Sequence, residues 1–371
     1  MATWAEAADV PVVNEETVRV ELGARSYDVV VGVDVLDTLG SRLVALGFQG
    51  RCGLVTSDRV GALYRRRVER SLALAGFTPI VVEIPDGEEH KSLATLERVL
   101  DALLRAGIER RTPLVALGGG VIGDLTGFAA ATLLRGIPVV QVPTTLLAQV
   151  DAAIGGKTAV DHAIGKNLVG AFHQPSLVLA DVGVLGTLPR RELVAGLAEV
   201  VKYGVIGDAT LFASLEADPA TALTVDPFAF VPMVAACARQ KAAVVAADER
   251  EERGDRAILN FGHTVGHALE TVTGYGRFLH GEAVAIGMVA AARVSEAIGV
   301  CDATTVTRVR GLLGRLGLPV DLPVDVPADA LGTAMKADKK SVAGQIQFVT
   351  VERVGRAKLV SLAAQEIVDR L

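Results

Sequence analysis

Three of the chain's six histidines, His263, His267 and His280, fall within eighteen residues of one another. Imidazole is the usual nitrogen ligand for zinc and the side chain that changes charge near neutral pH. His263 and His267 stand four apart, which puts both on one side of a helix. Glu199 lies on an earlier predicted helix, with Lys202 one turn further on. One carboxylate and two or three imidazoles can hold a zinc ion and leave a position open for substrate. A His pair at this spacing is often merely structural; the third histidine and the carboxylate beside a lysine favour metal. Arg256 and Asn260 precede His263 by seven and three residues, so they are expected to share its face. The cysteines, Cys52, Cys237 and Cys301, form no CxxC pair, so a metal site here has to use histidine and carboxylate. They suit a reducing, cytoplasmic compartment and read as buried fillers.

A second group of residues suits phosphates. Gly118-Gly119-Gly120-Val121-Ile122-Gly123-Asp124 satisfies G-x-G-x-x-G, follows a predicted strand and opens a predicted helix. Glycines let a backbone approach a pyrophosphate, and a helix N-terminus favours its charge. The acidic residue usual some 20 positions later is missing; that stretch ends in Gln141. The run Asp86-Gly87-Glu88-Glu89-His90-Lys91 and Asp58 also stand just past predicted strands. They read either as solvated loop charges or as a polar wall around a ribose and its phosphates. Thr144, Thr145, Asp151, Lys157, Lys166 and Asn167 form a further cluster in which each lysine follows a glycine. Lysine serves phosphate as a point charge, and glycine-rich loops are a poor way to display mere solubilising charge. Lys339 and Lys340, after Asp338, read as surface charge unless a polyanionic substrate claims them.

These residues must be positioned by elements the pattern also reveals. Apolar runs at Arg19–Val31, Gly53–Thr56, Ile80–Ile84, Leu114–Leu117 and Val139–Val142 predict strands, and Leu93–Leu104 has helical spacing. Strands alternating with helices indicate a mainly parallel sheet covered on both faces. After Thr187-Leu188-Pro189 the chain reads as helices at Arg191–Tyr203, Phe228–Ala247, His263–Thr271, Glu282–Ile298 and Thr304–Leu316. Only Gln345–Val351 reads as a later strand. The expected organisation is a tail at residues 1–14, an α/β domain at 15–187 and a mostly helical domain at 188–371.

Composition closes off other classes. The 371 residues carry a net charge of −6 with both signs interspersed, so no basic stripe for nucleic acid exists. Mean hydropathy is +0.41, yet no stretch reads as the roughly 20 mostly apolar residues of a membrane span. The first residues carry Glu6 and Asp9 and show no leader pattern.

Taken in order, Asp86–Lys91, Gly118–Asp124, Arg135-Gly136, Gln141–Leu147, Gly155–Thr158, Gly165–Asn167, Gly196–Gly204, Asn260–His267, His280–Glu282 and Asp338–Lys340 resemble the 3-dehydroquinate synthase family of sugar phosphate cyclases. The likeness spans roughly residues 15–360. It implies a Rossmann-like N-terminal domain, a mostly α-helical C-terminal domain and a site in the cleft between them. It implies zinc, or cobalt, on Glu199, His263 and His280, with His267 left to substrate or proton relay. NAD would contact Asp58, Asp86, Gly87, Glu88, Glu89, His90, Lys91, Gly119, Gly120, Val121, Asp124, Thr144, Thr145, Lys157, Lys166 and Thr187. Substrate would contact Asp151, Lys157, Asn167, Lys202, Lys241, Arg256, Asn260, His267 and Lys339. Arg135 would reach the phosphate from the other subunit of a homodimer. The implied reaction turns 3-deoxy-D-arabino-heptulosonate 7-phosphate, a sugar acid phosphate of the shikimate pathway, into 3-dehydroquinate and phosphate. The rivals are a cyclase acting on sedoheptulose 7-phosphate or glucose 6-phosphate, a metal-dependent polyol dehydrogenase, and a nucleotide-binding sensor without turnover.

Overall fold

The computed structural model describes residues 15–337, 341–342 and 345–371; the expected tail at 1–14, Lys339 and Lys340 lie outside them. The first half contains β1 (Glu15–Val20), β2 (Tyr27–Gly32), α1 (Leu39–Ala45), β3 (Arg51–Ser57), α2 (Asp58–Leu74), β4 (Thr78–Ile84) and α3 (Leu93–Arg105). It continues with β5 (Leu114–Gly118), α4 (Gly120–Thr132), β6 (Val139–Pro143), β7 (Lys157–His162), β8 (Gly165–Phe172) and β9 (Leu177–Asp181). Seven of these strands form one sheet in the order β1-β2-β9-β6-β5-β3-β4. All neighbours pair in parallel except β1, which is antiparallel to β2. Strands β5, β6 and β9 are buried along their whole length, as a parallel sheet covered on both faces requires.

Alternation sorts their side chains. Val30, Leu54, Val115, Leu117, Val140, Val142 and Leu179 face one side, under α1 and α2. On the other side Val55, Leu114, Ala116 and Val139 pack beneath α3 and α4. Val29, Val31, Val178 and Ala180, also on that side, belong to a core continuous with the later helices. The helical half therefore docks on one part of the sheet, next to α3 and α4. Strand order turns back between β3 and β5, so Asp58 and Gly119 stand beyond strand ends at the crevice where such sheets bind ligands.

The second half runs α5 (Arg190–Ile206), α6 (Ala209–Ala217), α7 (Pro227–Ala247), α8 (His263–Val272), α9 (His280–Ala297), α10 (Ala303–Arg315) and α11 (Ala328–Ala337). Beyond these come β10 (Ser341–Val342), β11 (Gln345–Arg353), β12 (Arg356–Ala363) and α12 (Ala364–Val368). Three departures from the sequence reading have physical reasons. The expected lone late strand is the centre of a three-stranded antiparallel sheet; β12, with its charged and half-exposed residues, gives no clean alternation. Lys157 to Asn167 form a two-stranded hairpin, β7–β8, instead of open glycine-rich loops. Helix α7, at 21 residues, is long and apolar enough by composition to cross a membrane, which the sequence reading missed. More than half of it is buried here, and it carries Arg239, paired with Glu16, and Lys241.

Glycine sets how closely the helices approach. A Cβ on Gly281 would sit 1.8 Å from the Ala195 carbonyl oxygen of α5, and one on Gly287 would sit 1.9 Å from the Gly262 carbonyl oxygen. Backbone therefore touches backbone where α5, α8 and α9 meet. Gly287→Ala is expected to lose about 1–3 kcal/mol to overpacking. Gly311→Ala, in α10 with open space around it, should be neutral or gain up to about 1 kcal/mol of helix propensity. Urea midpoints at unchanged slope check both, and equal midpoints for the two variants would refute the close-contact argument.

Candidate active site

Helix α5 supplies Glu199 and Lys202 one turn apart, both fully buried. The Lys202 ammonium lies against Glu199 Oε2 and 4.7 Å above the Tyr203 ring. His263 opens α8 immediately after Gly262, whose φ of 82° turns the chain. His280 opens α9. The close α5–α8–α9 contacts bring these residues together. Glu199 Oε1 is 3.4 Å from His263 Nε2 and 3.6 Å from His280 Nε2. His267 completes the group, with its ring centroid 5.3 Å from that of His263 and 5.8 Å from that of His280. One donor atom from each of the three histidines falls within 4.8 Å of the others.

Each of the two imidazoles nearest Glu199 is held by its other nitrogen. His263 Nδ1 lies 3.1 Å from the Phe261 carbonyl, and His280 Nδ1 lies 3.4 Å from Glu270 Oε2. In the neutral form of each ring, donation at Nδ1 puts the Nε2 lone pair toward Glu199. The two Glu199 oxygens are fully buried and accept no hydrogen bond of good geometry, Lys202 notwithstanding. Burial works against a carboxylate anion at Glu199, but the Lys202 ammonium and the imidazoles beside it hold its pKa well below the ordinary range. Burial pushes His263 well down, toward the neutral imidazole that a metal needs. At His280 burial is overcome by the Glu199 and Glu270 carboxylates, which push it up to about 10. Burial would raise Glu270, and its bond to His280 keeps it low.

Beside this group lies a second buried set of charges. Asp151 Oδ1 accepts from Tyr203 Oη at 2.7 Å and from Lys241 Nζ at 2.5 Å; Lys241 also reaches the Asp151 carbonyl at 2.6 Å. Burial alone would raise Asp151, but Lys202 and Lys241 hold it well below the ordinary range. Arg256 is 2% exposed. Its Nη1 donates to the Glu249 carbonyl at 2.8 Å and its Nη2 to the Gly155 carbonyl at 3.0 Å, while Nε has no partner. The loop that delivers it is wrapped around Asp248, whose carboxylate accepts the backbone N–H groups of Glu252, Arg253 and Asp255. Arg256 and Asn260 do not extend the His263 helix, as their spacing led one to expect. They lie on a separate 3-10 turn, Asp255–Asn260, cut off from α8 by Phe261 and the left-handed Gly262. Lys157, at the start of β7, pairs with Glu251 of the same loop.

The phosphate-suited residues gather at the strand ends. Gly119 caps α4 with no side chain in the way, so the first amides of that helix are open. A Cβ on Gly119 would meet Thr145 Cγ2 at 3.0 Å, and one on Gly120 would meet Ala152 at 3.6 Å; Val121 follows in the first turn. Gln141 has a packing role: its amide donates to the Gly123 carbonyl at 3.0 Å and fills the space beside that glycine. Thr144 N–H donates to the Gly118 carbonyl at 3.0 Å. Lys91 is buried between Asp124 Oδ2 at 2.6 Å and Asn167 Oδ1 at 2.5 Å, tying the Asp86–Lys91 loop to α4 and to β8. Asp58 Oδ1 accepts from Asp86 N–H at 3.1 Å. Gly87 has a φ of 126°, and Glu89 faces His90 at 3.9 Å. Glu88 pairs with Lys166, which stands 4.9 Å from the Tyr275 ring. Thr187 hydrogen-bonds Tyr64 Oη at 2.5 Å at the far edge of the group. Arg135 is exposed at the end of α4 with left-handed backbone. Glu270 and Tyr203 were missed by sequence reasoning. Glu270 follows His267 by three residues on α8, and Tyr203 is the neighbour of Lys202; only that adjacency could have pointed to them.

The comparisons with known proteins agree in kind. Family models match residues 81–195 as "3-dehydroquinate synthase N-terminal" and residues 196–341 as "3-dehydroquinate synthase C-terminal". A 3-dehydroquinate synthase of Pelobacter propionicus is 50% identical over 348 residues, covering 94% of this chain and 96% of the relative. One from Geobacter metallireducens is 51% identical over 355 residues, covering 95% and 98%. Among solved structures, a 2-deoxy-scyllo-inosose synthase complexed with carbaglucose-6-phosphate, NAD+ and Co2+ gives a TM-score of 0.86 at 27% identity, covering 95% and 98%. A 2-epi-5-epi-valiolone synthase from Streptomyces hygroscopicus subsp. jinggangensis, with NAD+ and Zn2+ bound, gives 0.85 at 31%, covering 93% and 95%. Glycerol dehydrogenase from Schizosaccharomyces pombe shares the fold alone, at 0.67 and 17%.

The Asp151 network yields a stability prediction. Tyr203→Phe removes a hydrogen bond to a partly buried anion, worth about 1.5–3 kcal/mol. Asp151 has a depressed folded pKa, so its contribution is present above the unfolded carboxylate value and fades as pH falls through the folded one. The deficit of Tyr203→Phe should therefore be full at neutral pH and still full near pH 4, because Asp151 stays ionised at both. Urea unfolding at pH 7 and near pH 4 checks it; a deficit that shrinks already by pH 4 would show that the carboxylate titrates in the ordinary range.

Proposed function

The chain belongs to the 3-dehydroquinate synthase family, and on that footing we propose an NAD- and metal-dependent enzyme whose substrate lies between the Gly119–Gly120 turn and the Glu199 centre. The reaction is the family's: 3-deoxy-D-arabino-heptulosonate 7-phosphate is converted to 3-dehydroquinate and phosphate. The observation that carries the cofactor reading is the convergence of Glu199, His263 and His280 beside Lys202 and Asp151. Two buried carboxylate oxygens without a good hydrogen bond, facing the Nε2 atoms of two histidines, fit a divalent cation of the zinc or cobalt kind. Open amides at the α4 N-terminus, in a cradle a Cβ would crowd, fit a pyrophosphate.

Once bound, the metal supplies Lewis acidity at a substrate oxygen and NAD a transient oxidation of the carbon that bears it. The rest falls to the protein's own side chains. Glu199, His263 and His280 are the proposed ligands. His267, in the same group but left out of that set, is proposed to carry protons or meet a hydroxyl. Lys157, Lys202, Lys241, Arg256, Asn260 and Asn167 are proposed to hold a polyanion in one conformation, which is where most of the rate gain in such a reaction arises. Asp151 keeps Lys241 aimed inward. The Asp58 and Asp86–Lys91 edge, Asp124, Thr144, Thr145, Lys166 and Thr187 are proposed to line the nucleotide. The exposed Arg135 is proposed to serve the partner's site in a homodimer, and the enzyme to work in the cytoplasm.

His263→Ala and His280→Ala should each lose zinc, and a chelator should abolish turnover until zinc or cobalt is restored. Wild-type zinc content in both variants would overturn the ligand set. NADH should not accumulate while phosphate is released; stoichiometric NADH would mark a polyol dehydrogenase instead. The deciding assay offers the enzyme heptulosonate phosphate, sedoheptulose 7-phosphate and glucose 6-phosphate. Only the first bears a carboxylate, and a site built for that anion rejects a neutral replacement by about tenfold to a hundredfold. Equal efficiency on sedoheptulose 7-phosphate would refute the assignment.

A further inference from the structure

The two imidazoles facing Glu199 are anchored differently. His263 Nδ1 meets a neutral backbone carbonyl, that of Phe261. His280 Nδ1 meets a carboxylate, Glu270 Oε2, at 3.4 Å. Glu270 is only 6% exposed, so it has been taken out of water to stand behind that ring. It sits two turns along α8 from His263, whereas His280 starts α9, so their contact also spans the loop between the helices. For an imidazole at the first residue of a helix, 33% exposed over its side chain, hydrogen bonding settles which nitrogen points inward. A carboxylate behind Nδ1 does fix it: Nδ1–H donates to the anion, and Nε2 is the nitrogen left facing the site. The negative charge also raises the ring's strength as a donor, which a carbonyl does less.

We propose that Glu270 is a positioning residue of the metal centre, orienting His280 with Nε2 toward Glu199 and raising the affinity of the site for a divalent cation. The proposal rests on the metal reading above and adds to it a residue that touches neither cation nor substrate. It separates two effects. Gln at this position keeps an acceptor oxygen for Nδ1–H but removes the charge. Ala removes both.

The experiment titrates zinc alone into the full-length chain, stripped with a chelator and without NAD or sugar, against a chromophoric competitor. Glu270→Ala should weaken zinc binding about 10–100-fold, and Glu270→Gln by a smaller factor. Urea midpoints of the metal-free proteins are read alongside. A residue that only braced the α8–α9 loop would lower the midpoint and leave zinc affinity unchanged. Wild-type zinc affinity in folded Glu270→Ala overturns the proposal; should Ala fail to fold, wild-type affinity in the isosteric Gln variant does so. His280→Ala serves as the reference. If it also binds zinc like the wild type, the metal reading itself falls, and this proposal with it. Weak binding in His280→Ala beside wild-type binding in both Glu270 variants removes Glu270 alone.

Discussion

An ionised carboxylate with no access to water is the constraint on which the site depends. Desolvating such a group costs several kcal/mol unless charge and hydrogen bonds are returned to it. Glu199 receives Lys202 from its own helix and two imidazoles from two others. That supply is possible only if three helices meet at backbone distance. The close approaches at Gly281 and Gly287 are thus part of the electrostatics as much as of the packing. Lys202 takes one carboxylate oxygen, Oε2, and Oε1 is left between the two imidazoles without a hydrogen bond of good geometry.

Asp151, still partly exposed, meets a milder form of the same problem with side chains alone. Its carboxylate has a lysine and a tyrosine hydroxyl on one oxygen and a second lysine nearby. The excess of buried cation over anion around it, with Arg256 adding a guanidinium whose Nε is unpartnered, makes a region suited to a ligand that arrives with negative charge. The strand-end side, proposed above for the nucleotide, is built otherwise, from helix amides and paired charges such as Lys91 with Asp124. One part of the proposed site offers net charge, the other shape and dipole.

Much of this was legible in the sequence, and unevenly. The buried parallel strands β3, β5 and β6 announce themselves as apolar runs, and the glycine turn after β5 lies where the motif put it. The histidine cluster was visible because histidine is rare in this chain. What could not be read was geometry that depends on φ. Spacing alone made Arg256 and Asn260 helical companions of His263, but Gly262 in the left-handed region breaks that periodicity. Hairpin β7–β8 was hidden because glycines at 155, 156, 165 and 170 mimic loop composition, while in fact Gly170 is there to let the strands touch, with the Thr158 carbonyl 2.1 Å from its missing Cβ. Glu270 and Tyr203 act through partners distant in sequence or on another element, and no local pattern marks them.

The antiparallel edge strand has a consequence for how the molecule comes to be made. Val18 and Val20 of β1 share a core with Ala238, Ala242 and Val245 of α7, and Glu16 is joined to Arg239 across 223 positions. A nascent chain that has left the ribosome as far as β9 can assemble its sheet, but the Val29, Val31, Val178 and Ala180 face stays bare until α5 and α7 emerge. Translation at about 5–20 residues per second leaves that surface open for several seconds. Such long-range closure is slow and exposes apolar area meanwhile. Strand β1 is therefore among the last of the described strands in its sheet to find full burial, since its cover arrives with α7.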